Sequence, residues 1–97
     1  MVRHIVSWNY KEDISAEKKM ELNAQLTAAF LALKDKIPGV NYIEVGAPPL
    51  KSSTKELCLY VEMEDEAVLP LYANHSDHLA VVDIIKANCK DRCCLDF

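Results

Sequence analysis

Between Leu22 and Ile37 the apolar residues Leu22, Leu26, Ala29, Phe30, Leu33 and Ile37 recur at three- and four-residue spacing. That is the period of one helix face. Lys19, Asn23, Thr27 and Lys34 fall on the opposite side. Ser15 is a good N-cap, and Glu17 sits in the first turn, where a carboxylate favours the helix dipole. Pro38-Gly39 stops the pattern. The spacing predicts one amphipathic helix from about Ala16 to Lys36, with a single face to bury.

The flanking segments have the other period. Arg3–Tyr10 alternates, with His4, Val6, Trp8 and Tyr10 on one side and Ile5 and Ser7 on the other. Val40–Val45 reads as a second strand, Tyr42 and Glu44 facing away from Ile43 and Val45, and Gly46-Ala47-Pro48-Pro49 ends it. Leu57–Met63 is a third, with Leu57, Leu59, Val61 and Met63 on one face and Cys58, Tyr60 and Glu62 on the other. Asp65 is placed to cap a short helix reaching about Ala73, which Pro70 should kink or delay. Ser76 is the expected cap of a last helix, Asp77 to about Ala87, burying Leu79, Val82 and Ile85 or their neighbours. Arg92–Phe97 is the expected fourth strand. The order β-α-β-β-α(α)-β is the ferredoxin-like split pattern, an α+β fold with helices on one face of a four-stranded antiparallel sheet. The other face is expected to carry Ile5, Ile43, Val45, Tyr60, Cys93, Leu95 and Phe97. A bare apolar face of that size invites a second copy packed sheet to sheet, so a homodimer is expected.

A chain of 97 residues is one domain, spanning residues 1–97. Its net charge of −4, without a basic cluster, argues against nucleic acid or an anionic membrane as partner. The longest apolar run, about Ala28–Leu33, is far short of a membrane span, and the first residues do not have the layout of a signal peptide. The expected location is the cytoplasm. There disulfides are disfavoured, and no paired C-x-x-C knuckles are present, so Cys58, Cys89, Cys93 and Cys94 are expected to be free thiols acting as small apolar fillers.

Chemistry concentrates in Tyr72-Ala73-Asn74-His75-Ser76-Asp77-His78, which holds two of the three histidines; the third, His4, opens the first strand. A histidine in a helix's first turn is disfavoured as an imidazolium by the dipole. His78 is therefore a candidate general base, neutral at pH 7. Tyr72 could donate a hydrogen bond to a developing enolate oxygen, and His4 could orient the substrate or His78. The plain structural alternatives are that His75 is a polar helix junction, His4 a satisfied half-buried histidine and Tyr72 core packing with its hydroxyl at the rim. Trp8 and Phe30 are expected in the core or the wall of a cavity. His-x-x-His with a distant third histidine could also bind zinc, but no acidic residue is placed to support it, so no metal and no cofactor are expected.

Taken together, Val2-Arg3-His4-Ile5-Val6, Ile37-Pro38-Gly39-Val40, Glu44-Val45-Gly46, Tyr72-x-x-His75-x-x-His78 and Leu95-Asp96-Phe97 resemble the stress-responsive A/B barrel domain across essentially the whole chain. The resemblance implies a dimeric α+β barrel. Family members include a heat-stable plant stress protein that forms higher oligomers, and an enzyme that closes a linear polyketide without a cofactor. The resemblance to that enzyme places His4, Tyr72, His75 and His78 around a cavity between sheet and helices, with Tyr72 and His78 as the catalytic pair. This chain departs from it at Leu57, where the enzyme has a histidine, at Ser76, where a proline is usual, and at Cys89, Arg92 and Cys94, where it is bulky and apolar. Arg92 would suit an anionic group if it faces the cavity. His75, Trp8, Phe30, Leu57, Leu59 and Arg92 are the expected substrate-contacting residues.

The expected function is thus small-molecule binding by a dimeric barrel, with cofactor-independent lyase, cyclase or isomerase chemistry on a small carbonyl compound. The alternatives are a non-catalytic stress-response or binding protein, and a barrel that oxidises aromatic compounds without metal or flavin, which Trp8 makes conceivable.

Overall fold

Strand β1 (Val2–Tyr10) buries Val6, Trp8 and Tyr10 and leaves the residues between them half-covered, as its alternation requires. It is followed by α1 (Ala16–Ala32), β2 (Val40–Gly46), β3 (Leu57–Met63), α2 (Val68–Asn74), α3 (Ser76–Asn88) and β4 (Cys89–Asp96) in this computed structural model, which describes all 97 residues. The sheet order is β2-β3-β1-β4, every pair antiparallel, which is the ferredoxin-like arrangement. No helix is long and apolar enough to cross a membrane.

Ser15 caps α1, its hydroxyl accepting from the Lys18 N–H at 3.1 Å. The regular helix ends at Ala32, short of Lys36, because the chain tightens: the Leu33 N–H bonds back to Phe30 O, and Lys36 N–H to Leu33 O. The apolar period outlasts the helix, and Leu33 and Ile37 are both buried. Gly39 then turns the chain at φ +93°, pressed against Val68. Helix α2 starts late, at Val68, which leaves Pro70 within its first turn, where a missing N–H costs nothing. Asp65 is not its cap: Ala67 holds that position without a side-chain bond, and the Asp65 carboxylate accepts from the Ala67 N–H in the turn just before the helix.

Four expectations need correction. Ser76 is inside α3; the cap is His75, whose Nδ1 accepts the Asp77 N–H at 3.1 Å. The residues α3 buries are Val81 and Ile85, while Leu79 is 48% exposed. Ile43 is buried beneath the helices rather than on the bare face, with Val45 partly buried beside that core. Strand β4 begins at Cys89, three residues before the expected start, because Tyr10 and Asn9 already pair with Cys89 and Lys90.

Two bulges set which residues reach the helix side. In β2, Val40 pairs with Met63 but Tyr42 with Glu62, so Asn41 is the extra residue, and Val40 and Ile43 both turn inward. In β4, Asn9 pairs with Lys90 but Ser7 with Cys93, so Asp91 and Arg92 together oppose Trp8. Asp91 takes φ 56°, a left-handed conformation that aspartate tolerates better than most residues. Asn9 donates to its carboxylate and Lys55 to its carbonyl.

The bare face carries Tyr42, Tyr60, Ile5, Leu95 and Phe97. The Tyr42 and Tyr60 rings meet edge to face at 6.1 Å, and each hydroxyl donates to the glutamate two residues on, Glu44 and Glu62. The Arg3 guanidinium lies over the Phe97 ring at 5.6 Å. Tyr42, Leu95 and Phe97 remain exposed.

Candidate functional site

Between the sheet and the helices lies a cavity of about 440 Å³, walled by β1, β3 and β4 below and by α2, α3 and Phe30 of α1 above. One end is apolar: Trp8 from below and Phe30 from above stack with ring centroids 6.3 Å apart, beside Val6 and Leu59. Volume and lining fall in the range of small-molecule sites.

Tyr72 and His78 are brought together by the α2–α3 junction. Their rings approach to 4.3 Å, and the Tyr72 ring also meets the edge of His4 at 5.7 Å. His78 Nδ1 lies 3.1 Å from the Ala73 carbonyl, which can only accept, so Nδ1 carries the proton and Nε2 keeps the lone pair. Burial holds the His78 pKa below its ordinary value, partly opposed by the Ala73 bond and reinforced by His4, His75 and Arg92 nearby. Tyr72 is almost wholly buried, which pushes its pKa far up and keeps the hydroxyl protonated. Two buried donors in this cavity wall, the Tyr72 hydroxyl and the Trp8 indole N–H, have no hydrogen-bond partner. Buried donors are nearly always paired, and leaving one unpaired costs about 1–3 kcal/mol.

His4 enters from β1 with its side chain only 12% exposed, and its Nδ1–H donates to Asp96 Oδ1 at 2.5 Å. The pair is set by register, since His4 stands opposite Asp96 in the ladder. Cys94, one residue pair along on the same face, places its Sγ 3.9 Å from His4 Nδ1 and 3.7 Å from Asp96 Oδ1. Arg92 faces the cavity, and Lys86 joins it there.

Of the residues singled out from sequence, His4, Trp8, Phe30, Leu59, Tyr72, His78 and Arg92 share this cavity. Leu57 does not. It is buried at the far end of β3, opposite Trp8 in the ladder and beyond the cavity floor. His75 does not either, because its ring is turned back to cap α3. The histidine trio considered for zinc therefore does not assemble. Cys93 and Cys94 are exposed rather than fillers, whereas Cys89 is buried and its thiol pKa is raised by burial to about 11. Asp96 was missed as a partner of His4, and Lys86 as a lining group, whereas Cys94, already noted beside Arg92 on the last strand, does line the cavity. Asp96 stood in the sequence within Leu95-Asp96-Phe97, but only strand pairing joins it to a residue 92 positions earlier.

An antiparallel βαββαβ sheet with a side-chain-lined cavity under its helices defines a ferredoxin-like α+β protein. The chain belongs to the stress responsive A/B barrel domain family, whose model matches residues 2–97. No curated protein matches its sequence. A dimeric protein of unknown function and ferredoxin-like fold from Bacteroides fragilis is 30% identical with a TM-score of 0.91, the match covering 99% of this chain and 93% of that one. A dimeric ferredoxin-like protein from Thermobifida fusca is 23% identical with a TM-score of 0.82, over 99% and 88% of the two chains. A hydroxynitrile lyase from Passiflora edulis shares the fold at 17% identity and a TM-score of 0.76, over 99% and 90%.

Proposed function

We propose that this protein binds a small carbonyl compound in the cavity and moves a proton next to the carbonyl without a cofactor, as a lyase, cyclase or isomerase does. The observation that carries the reading is the pair of unpartnered buried donors, Tyr72 Oη–H and Trp8 Nε1–H, in the wall that His78 also lines. His78 Nε2 is the base that takes the proton from the carbon beside the carbonyl. As the carbon–hydrogen pair becomes the enolate π bond, negative charge grows on the carbonyl oxygen. Tyr72 and Trp8 supply donors for that oxygen in a site shielded from water. His4, fixed by Asp96, orients the substrate, and Phe30 and Leu59 hold its apolar part. Arg92 and Lys86 favour an anionic substituent at the cavity mouth. That a hydroxynitrile lyase shares this fold supports lyase chemistry on such a scaffold.

The test needs no knowledge of the natural substrate. Small aryl-alkyl ketones in deuterated buffer are followed by NMR for exchange at the carbon beside the carbonyl. Exchange above the buffer rate is expected, lost in His78→Ala and reduced in Tyr72→Phe, with fold checked by circular dichroism. Exchange that persists undiminished in folded His78→Ala refutes the assignment. Stabilisation by the ketones with no exchange favours the non-catalytic binding reading.

The same reading includes a homodimer closed through the bare sheet face. Leu95 and Phe97, 60% and 57% exposed, support it, as do the two structural neighbours described as dimeric. Light scattering should give twice the chain mass at micromolar concentration; a monomer there contradicts it.

A further inference from the structure

The rim of the cavity on the β1–β4 side carries a set of side chains that do not themselves take or give the proton moved by His78. His4 Nδ1, Cys94 Sγ and an Asp96 carboxylate oxygen all lie within 4.8 Å of one another. They stand on adjacent paired strands, His4 opposite Asp96, with Cys94 two residues before Asp96 on the same face. Their positions are therefore fixed by the ladder and not by a loop.

We propose that His4, Cys94 and Asp96 form a zinc(II) site at the cavity mouth, with three protein ligands and one open position. A tetrahedral zinc ion puts sulfur about 3.5 Å from its nitrogen and oxygen neighbours, and nitrogen about 3.3 Å from oxygen. The two sulfur edges here are 3.9 and 3.7 Å, so they need to close by only a few tenths of an ångström. The nitrogen–oxygen edge is a 2.5 Å hydrogen bond that has to open by about 0.8 Å to reach the zinc value. A rotation of the Asp96 carboxylate, whose side chain is 40% exposed, is the simplest way to do so.

The charges balance. Binding releases the Cys94 thiol proton to solvent, and the thiolate and the Asp96 carboxylate together neutralise the dication. The proton on His4 Nδ1 moves to Nε2, leaving the Nδ1 lone pair for the metal. A thiolate with an imidazole favours zinc over magnesium or calcium, which prefer all-oxygen sets. Because all three ligands line the cavity, the fourth position is available to water or to the oxygen of a molecule held there. The exposed thiol and carboxylate give the ion a direct path from solvent.

This inference stands apart from the role assigned to His78, and the experiment separates the two. The full-length protein, reduced and stripped with a chelator, is titrated with cobalt(II). Intense visible bands of tetrahedral cobalt and a near-ultraviolet thiolate-to-cobalt band are expected. One equivalent of zinc(II) should remove both, and magnesium(II) should leave both. Cys94→Ser should abolish the thiolate band. Asp96→Asn should weaken binding at least about tenfold, since even an outer partner of a ligand is worth that much. Cys93→Ser, with its thiol on the opposite sheet face, should bind as the parent does, and so should His78→Ala. Absence of the thiolate band at millimolar cobalt, or its survival in Cys94→Ser, overturns the proposal.

Discussion

The two halves of the helix layer treat the same sheet differently. Under α1 the chain closes on itself: Leu22, Leu26, Phe30, Leu33 and Ile37 are all buried, with Leu26 at 0% exposure. Under α2 and α3 it does not close. Only Val68, Tyr72, Val81 and Ile85 are buried there, and the cavity opens between them and β1 and β4. The difference follows from sequence. The α1 stripe holds its period for four turns, whereas α2 is a seven-residue helix whose junction spends His75 on a cap, Ser76 on an exposed position and Asp77 on a half-buried one. The closed half supplies stability; the open half trades packing for a cavity lined in part by polar groups.

That contrast can be broken in several places. The largest effect is expected at Leu26→Ala, about 3 kcal/mol by urea denaturation, as for a fully buried leucine in a closed core. Val82→Ala, on the cavity wall, should cost no more than about 1 kcal/mol. Equal losses would mean that the two halves are packed alike. Gly39→Ala should cost about 2 kcal/mol, because φ +93° strains an alanine and its Cβ would lie 2.5 Å from Val68 Cγ2. Since Gly39 links the end of α1 to the first residue of α2, this variant also reports how firmly the halves are joined.

Tyr72→Phe should go the other way. Removing a buried hydroxyl without a partner should leave stability unchanged or raise it by about 1 kcal/mol, while exchange activity falls. A clear loss of stability would show that the hydroxyl serves the fold. The smallest effect is a pH slope. The His78 pKa in the folded chain is depressed below the ordinary value of about 6.5, so the unfolded chain takes up the proton first. Its contribution is complete above that value and is lost as pH falls through the window toward the folded pKa. Stability measured at pH 7 and pH 5 should fall more in the parent than in His78→Gln; identical slopes would remove His78 as the cause.

How legible this was depends on how far apart the partners lie in the chain. The α1 stripe, the alternation of β1 and β3 and the late start of α2 just before Pro70 are written in neighbouring residues, and the sheet order follows from connection rules. The Tyr72–His78 contact spans one helix junction and was within reach of the same logic. His4 with Asp96 was not, because a one-residue change in strand pairing sends a side chain to the other face. The cap was misassigned for a local reason: a neutral imidazole nitrogen can accept an N–H as a hydroxyl does, so His75 took the role for which Ser76 looked better suited.

The bulge at Asp91 has a consequence for how such a protein can change. Before it, the odd-numbered Cys89 points to the helices; after it, the even-numbered Arg92, Cys94 and Asp96 do, and Cys93 and Leu95 turn to the bare face. Without that extra residue the ladder would simply run straight, with Arg92, Cys94 and Asp96 still on the helix side; flattening the bulge with every residue kept would exchange the two sets, moving Leu95 and Phe97 inward and carrying arginine, thiol and carboxylate onto the bare face. The cavity lining and the bare face therefore share a single frame. A one-residue slip of β4 alters both at once, whereas point substitutions on β4 tune either one separately.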